Sequence, residues 1–158
     1  MASFVLSCGS KKTVSGTKAH YVIESPCPPN GNCSFEIIKD KSLIIKNDDT
    51  GRFYYQMEDT PGKNVVKYSY KKTTNSKLQD ASYTEEIIFE TDSSITDFKT
   101  IGEDDKVLFG VHCFCRGKAG FYKLKYANII YNKKKMTIKL PEKIVDGQLT
   151  KFVEISFK

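Results

Sequence analysis

Apolar and polar residues alternate along the chain from residue 18 onward, in short segments that turn residues separate. A period of two is typical of β-strands with one buried face, and no helical period is sustained for about 11 residues. The strand pattern occurs in "AHYVIES", "CSFEIIK", "SLIIKN", "RFYYQME", "NVVKYSYKK", "YTEEIIFET", "KVLFGVHCFC", "GFYKLKYA", "NIIYN", "KMTIKL" and "TKFVEISF". It predicts an all-β domain of about ten short strands, in which an antiparallel sheet closes into a barrel or packs as a sandwich.

Residues that favour turns separate these segments. Pro61 and Gly62 occupy the second and third positions of a predicted type II turn in "TPGK", and the pairs Asn30-Gly31 and Asp146-Gly147 are typical of hairpins. Apolar residues that step by two along a strand point to one face and are therefore core candidates. The predicted core rows are Phe53/Tyr55/Met57, Val66/Tyr68/Tyr70, Ile87/Phe89, Tyr122/Leu124/Tyr126, Met136/Ile138/Leu140 and Val153/Ile155/Phe157.

Composition narrows the class of protein. The 158 residues are enough for one domain, and the apolar content of 39% is too high for a disordered chain. The net charge of +6 comes mostly from residues 1–79, which carry 12 basic against 7 acidic residues, while residues 80–158 carry 13 against 12. This balance permits phosphate-rich partners. The basic and aromatic motifs of nucleic-acid-binding folds are missing, so no nucleic-acid partner is expected.

The first ten residues, "MASFVLSCGS", end a short apolar run at a cysteine. Val5-Leu6-Ser7-Cys8 matches the box in which a bacterial lipoprotein is cleaved and lipidated on its cysteine. A secretory signal needs a basic start and an apolar core of about 7–15 residues. Here only seven residues precede Cys8 and none is basic. We therefore interpret residues 1–8 as the remnant of a lipoprotein signal whose upstream part is missing.

The residues after Cys8 complete the predicted organisation of the chain. Residues 9–17 are small and polar, as in a flexible tether, and residues 18–158 form the predicted single all-β domain. The alternative is that Phe4-Val5-Leu6 opens the first strand and that Cys8 is a buried thiol, because short apolar runs are ambiguous.

The box and the Lys-, Asn- and Ile-rich composition of the rest of the chain resemble the small lipoproteins of the Bacteroidota, and of flavobacteria in particular. The resemblance implies a cell-envelope protein that is anchored to a membrane by a lipid on Cys8. In that group an acidic tract after the lipidated cysteine marks export to the cell surface. Since Gly9-Ser10-Lys11-Lys12 follows Cys8 here, the resemblance implies a protein that faces the periplasm.

Four further cysteines, Cys27, Cys33, Cys113 and Cys115, are the predicted disulfide residues. An even number of cysteines in an exported chain predicts two disulfides, and three pairings are possible. On an extended strand Cys113 and Cys115 would lie about 6.6 Å apart, near the upper limit of Cα separation for a disulfide. Cross-links between Cys27 or Cys33 and Cys113 or Cys115 are therefore favoured.

Other roles for these cysteines stay open. With His20 and His112 they could form a tetrahedral zinc site, although their C-x5-C and C-x-C spacings differ from those of common structural zinc sites. Free thiols and a C-x-C redox centre are further alternatives, the latter without the C-x-x-C arrangement at a helix start that activates a thiol.

His112, Phe114 and Arg116 are the predicted ligand-binding residues. They alternate with the two cysteines of "HCFC", so they would form the outer row of one strand beside the turn at Gly117. An imidazole, an aromatic ring and a guanidinium side by side can bind a carboxylate or phosphate group. Gly110 on the same row would let another group approach the backbone closely.

No residue pattern indicates catalysis. Neither G-x-S-x-G nor H-E-x-x-H is present, and the adjacent carboxylates Asp48-Asp49, Glu85-Glu86 and Asp104-Asp105 would face opposite ways on strands and form no calcium loop. We therefore assign no catalytic residue, no cofactor and no metal site. The expected role is non-catalytic binding or structural work on an unidentified envelope ligand or protein. The alternatives are a cytosolic zinc or anion-binding module built on the four cysteines, and a barrel-like carrier of small ligands.

Overall fold

The chain forms two antiparallel β-sheets in a computed structural model, which describes residues 21–74, 81–94, 105–125, 127–132 and 134–158. The strands of these ranges are β1 (Tyr21–Ile23), β2 (Gly31–Asn47), β3 (Phe53–Lys72), β4 (Tyr83–Asp92), β5 (Val107–Cys113), β6 (Gly120–Lys123), β7 (Asn128–Asn132), β8 (Lys135–Lys139) and β9 (Phe152–Phe157). One sheet has the order β1-β9-β8-β7 and the other the order β2-β3-β4-β5-β6. The prediction of an all-β fold is confirmed.

The two sheets pack face to face through the main core, as in a β-sandwich. Alternation places Val66, Tyr68, Ile87 and Phe89 of the larger sheet on the same side as Phe109. The smaller sheet supplies the opposing apolar rows, Met136/Ile138 and Val153/Ile155. Most of the predicted core rows therefore lie between the sheets. Tyr126 lies outside the described residues, as do Cys8, residues 9–17 and His20.

The predicted turn at Pro61-Gly62 does not separate two strands, because this stretch lies inside β3; Gly62 nevertheless has a φ of +85°, as the third position of a type II turn requires. Strands β2 and β3 pair along nearly their whole lengths, and the register shifts between Lys39 and Lys41. At this point Asp40 and Gly62 adopt left-handed backbone conformations, and Asp40 Oδ1 accepts a hydrogen bond from the Gly62 amide at 3.2 Å. The turn residues thus produce a bulge that bends a continuous two-stranded ribbon. For this reason the predicted strands "CSFEIIK" and "SLIIKN" form the single strand β2, and "RFYYQME" and "NVVKYSYKK" form β3.

The bent ribbon creates a second apolar cluster on the other face of the larger sheet. Its buried members are Leu43, Val65, Ile88 and Leu108, and Phe53, Tyr55, Met57 and Phe121 pack against them. Phe53 of β3 also pairs with Phe121 of β6, so the larger sheet partly closes on itself. The predicted row Phe53/Tyr55/Met57 is consequently half-buried against this second cluster and does not lie between the sheets.

The other two predicted turns have different outcomes. Asn30-Gly31 lies at the beginning of β2 and does not join paired strands, because β1 and β2 belong to different sheets. Asp146-Gly147 lies in the long connection between β8 and β9, which do pair, and Gly147 has a φ of +83°. No helix of the described residues is long and apolar enough to cross a membrane.

The β8–β9 connection is attached to the main core by a buried carboxylate. Glu85 of β4 is completely buried, and its Oε1 accepts hydrogen bonds from the Tyr83 hydroxyl at 2.6 Å and the Leu149 amide at 2.7 Å. Its Oε2 accepts one from the Thr150 amide at 2.6 Å. Burial and the neighbouring charge of Glu85 raise the pKa of Tyr68 to about 12. Glu85 therefore holds the connection against the larger sheet.

Candidate functional site

The four predicted disulfide cysteines pair locally. Cys27 bonds to Cys33 with a Cα separation of 5.8 Å, and the Tyr68 hydroxyl lies 2.9 Å from Cys33 Sγ. Cys113 pairs with Cys115, with a Cα separation of 5.2 Å. The favoured cross-links between the two segments are therefore wrong. The reason is that β5 ends at Cys113 and the chain bends at Phe114, so the extended separation of about 6.6 Å does not apply.

The described residues contain no group of three or more histidine, cysteine, aspartate or glutamate side chains that could hold a metal ion. All four sulfurs considered for zinc are paired in disulfides. The zinc alternative therefore has no support within these ranges.

The structure does not bring His112, Phe114 and Arg116 together as one strand row. His112 belongs to β5, Phe114 lies at the bend after the strand, and Arg116 lies in the turn that follows. The Phe114 side chain is 84% exposed. The strand ends earlier than its alternation suggested, because its pairing with β6 stops at Val111 and its pairing with β4 stops at Cys113, opposite Tyr83. Their ligand-binding role stays a prediction.

His112 instead takes part in a polar cluster around a buried carboxylate. Glu86 of β4 is buried, and its Oε1 accepts a hydrogen bond from the Tyr55 hydroxyl at 3.0 Å.

 The exposed fraction of the Glu86 side chain is 7%, and its Oε2 lies 3.2 Å from Lys67 Nζ and 3.8 Å from His112 Nε2. Burial by itself raises the pKa of Glu86, but the hydrogen bonds and charges of His112, Lys67 and Tyr55 outweigh it and hold the pKa below its ordinary value. The cluster is therefore a buried carboxylate that the Lys67 charge and the neighbouring polar groups of Tyr55 and His112 stabilise.

Phe121 connects this cluster to the molecular surface. Its ring makes edge-to-face contacts with Tyr55 and with His112, each with a centroid distance of 5.2 Å. A Cβ atom at Gly110 would lie 2.6 Å from Phe121 Cε1, so only glycine leaves room for the ring at this position. The sequence-based expectation of a close approach at Gly110 is thus met, and the approaching group is the protein's own Phe121.

A cleft of about 370 Å³ lies in front of Phe121, where the tip of the β2–β3 ribbon meets β6 and the loop that precedes it. Two of its lining residues are cationic, three are aromatic and none is acidic. The lining consists of Gly51, Arg52, Phe53, Gly117, Ala119, Gly120, Phe121, Tyr122 and Lys123. A surface of this kind can accept an anionic group together with an apolar ring or chain.

Local hydrogen bonds fix the two walls of the cleft. Asp48 Oδ1 accepts hydrogen bonds from the Thr50 amide at 2.8 Å, the Thr50 hydroxyl at 2.7 Å and the Arg52 amide at 2.9 Å. The Thr50 hydroxyl, followed by the Arg52 amide, lowers the pKa of Asp48. On the other wall the Tyr122 hydroxyl donates to the Lys118 carbonyl at 2.8 Å. The chain thereby positions Arg52 opposite the 117–120 loop.

One sequence signal for the cleft residues is a turn motif. "NDDTG" between two strand patterns is a turn with an aspartate at its start, and it could have located the ribbon tip that carries Arg52. Nothing in the sequence indicated that Tyr55, Lys67 and Glu86 meet, because they lie on different parts of two strands.

No protein-family model, curated protein or solved structure matches the chain.

Proposed function

We propose that this protein is a lipid-anchored cell-envelope protein with a non-catalytic binding role, and that its ligand is a small anion with an apolar part. The observation that carries the proposal is the lining of the cleft, which combines Arg52 and Lys123 with three aromatic rings and no carboxylate. Cys8 would attach the domain to the membrane, residues 9–17 would set its reach, and the cleft would face the periplasm.

The chemistry of the cleft favours a carboxylate or phosphate ester. Arginine and lysine donate charge-assisted hydrogen bonds to such groups, and these bonds are stronger than neutral ones. Phe53 and Phe121 offer apolar surface beside the cations. Because Phe121 also contacts His112, the polar cluster around Glu86 would support the inner wall of the site.

The disulfides support the proposed location. Cys27 and Cys33 are paired, and disulfides persist mainly in oxidising compartments such as the periplasm. The lipoprotein box at Cys8 is consistent with the same compartment.

Binding is tested with phenyl phosphate as the probe, titrated into the full chain and followed by NMR chemical shifts. We expect saturable shifts at Phe53, Phe121 and the 117–120 loop. Replacement of Arg52 or Lys123 by glutamine removes a charge-assisted hydrogen bond and should weaken the probe's affinity about tenfold. Lys139→Gln on the outer face of the smaller sheet is the matched control. Equal affinities for all of these variants, or no saturable shift, would contradict the proposal.

The location is tested by the intact mass of the protein extracted from its native host, with and without reductant. Acyl mass on a chain that starts at Cys8, and a gain of about four hydrogens on reduction, are expected. An unlipidated chain with no reductant shift would overturn the envelope proposal, and a stoichiometric metal signal would favour the zinc alternative.

A further inference from the structure

The end of β5 carries a second feature that the cleft does not use. Cys113 ends the strand, Phe114 follows at the bend, and Cys115 pairs with Cys113 across this one residue. Phe114 is 84% exposed, which is the highest value among the large hydrophobic side chains that the structure describes as exposed. A ring in this position contributes little to the core and is accessible to another molecule.

The two disulfides have different surroundings. Cys27, Cys33 and Cys113 pack against the main core, and Cys33 also pairs within the β2–β3 ladder and contacts the Tyr68 hydroxyl. Cys115 lies beyond β5 and is not among the residues that pack against this core. Cys115 is therefore the sulfur without core packing, whereas both sulfurs of the Cys27–Cys33 pair pack against the core, and we expect an incoming thiolate to attack Cys115 first.

The charges around Cys115 favour thiol chemistry. Arg116 follows it directly, and the Lys118 amide in the same turn donates to the Cys115 carbonyl at 3.3 Å, while the Lys118 ammonium lies beside the Asp146-Gly147 turn. The segment 114–120 contains no acidic residue. Nearby cations stabilise thiolates, which are both the attacking and the departing groups in disulfide exchange.

We propose that the Cys113–Cys115 disulfide exchanges with exposed dithiols of peptides or proteins, with Phe114 as the contact for an apolar residue of the substrate. A substrate thiolate attacks Cys115 Sγ, the bond between the two sulfurs breaks, and Cys113 leaves as a thiolate. The second substrate thiol then displaces Cys115 and forms the substrate disulfide. Two electrons pass to the cysteine pair, and the two thiol protons end on Cys113 and Cys115.

The test uses the oxidised full chain and a synthetic reduced peptide that contains two cysteines and one phenylalanine. Samples are quenched with acid, alkylated and mapped by mass spectrometry, so that each cysteine is followed separately. We expect Cys113 and Cys115 to be reduced at least about tenfold faster than Cys27 and Cys33, with one peptide disulfide formed per chain. The far-ultraviolet circular dichroism spectrum should not change during this step.

Variants separate the docking role of Phe114 from the chemistry. Phe114→Ser should slow the reaction with the peptide at least about threefold and leave the reaction with dithiothreitol unchanged. Cys113→Ser leaves Cys115 without its partner and should accumulate a mixed disulfide with the oxidised peptide. Equal reduction rates for both cysteine pairs, reduction that occurs only with loss of the folded spectrum, or an isolated protein in which Cys113 and Cys115 are unpaired would overturn the proposal. An unchanged peptide rate in Phe114→Ser would overturn the docking role.

Discussion

Glu85→Gln tests whether the buried carboxylate holds the β8–β9 connection against the larger sheet. Three donors point at Glu85: the Tyr83 hydroxyl and the Leu149 amide at Oε1, and the Thr150 amide at Oε2. A glutamine side chain has one acceptor oxygen and one amino group in the same space. If its oxygen serves Tyr83 and Leu149, its amino group faces the Thr150 amide and two donors oppose each other.

The magnitude follows from these contacts. Glu85 is completely buried and Thr150 is 1% exposed, so water cannot replace the lost partner. A buried donor without a partner costs about 1–3 kcal/mol. The two remaining hydrogen bonds, from Tyr83 and Leu149, weaken by roughly 1 kcal/mol each because their acceptor is no longer charged. Removal of a buried charge offsets part of this loss. We expect Glu85→Gln to lower the free energy of unfolding by about 2–3 kcal/mol, which corresponds to a melting temperature about 5–10 °C lower.

Urea unfolding followed by circular dichroism measures this change. Glu142→Gln, an exposed substitution in the same connection, is the matched control and should stay within about 0.5 kcal/mol of the wild type. Glu85→Ala should cost more than Glu85→Gln, because it leaves all three donors unpaired. The reasoning would be refuted if Glu85→Gln and Glu142→Gln had the same stability.

Three further predictions concern the polar cluster, the glycine beside it and the disulfides. The pKa of Glu86 lies below its ordinary value of 4.5, so its stabilising contribution is complete above that pH and is lost as the pH falls through the lower folded value. The difference in unfolding free energy between wild type and Glu86→Gln should therefore shrink between about pH 7 and about pH 3, and a constant difference would contradict it. Gly110→Ala should destabilise the fold by about 1–3 kcal/mol in thermal or urea unfolding because the new Cβ meets Phe121, and Phe121→Leu should relieve much of this cost; additive effects would exclude that contact. Replacement of both Cys27 and Cys33 by serine opens a longer loop than replacement of Cys113 and Cys115, so urea unfolding should give losses of about 2.4 and about 1.6 kcal/mol, and a reversed order would contradict the loop argument.

The proposed ligand cleft and the proposed exchange site are adjacent in sequence but can be separated by experiment. The cleft uses Arg52 and Lys123 and is tested by affinity for phenyl phosphate. The exchange site uses Cys113, Phe114 and Cys115 and is tested by cysteine-specific reduction rates. Failure of one experiment therefore leaves the other proposal intact.

Local patterns in the sequence determined the strands and the facing of their side chains. The period of two predicted β4, β8 and β9 almost to the residue, because alternation along a strand depends only on neighbouring positions. The same rule correctly predicted that Glu85 and Glu86 face opposite sides of the sheet. It could not predict that both carboxylates are buried, since burial requires other residues to pack over both faces of the sheet.

Contacts between distant segments of the chain bury both carboxylates and form the candidate sites. The bulge at Asp40 and Gly62 bends the β2–β3 ribbon, which brings Tyr55 to Glu86 and pairs Phe53 with Phe121. The cysteine pairings were likewise decided by where β5 ends, and this depends on where its pairing with β4 ends, at Tyr83 opposite Cys113. The sequence by itself thus determined the strand pattern and the all-β class. The cleft, the buried carboxylates and the local disulfides depend on contacts between residues far apart in the chain, which a local pattern does not encode.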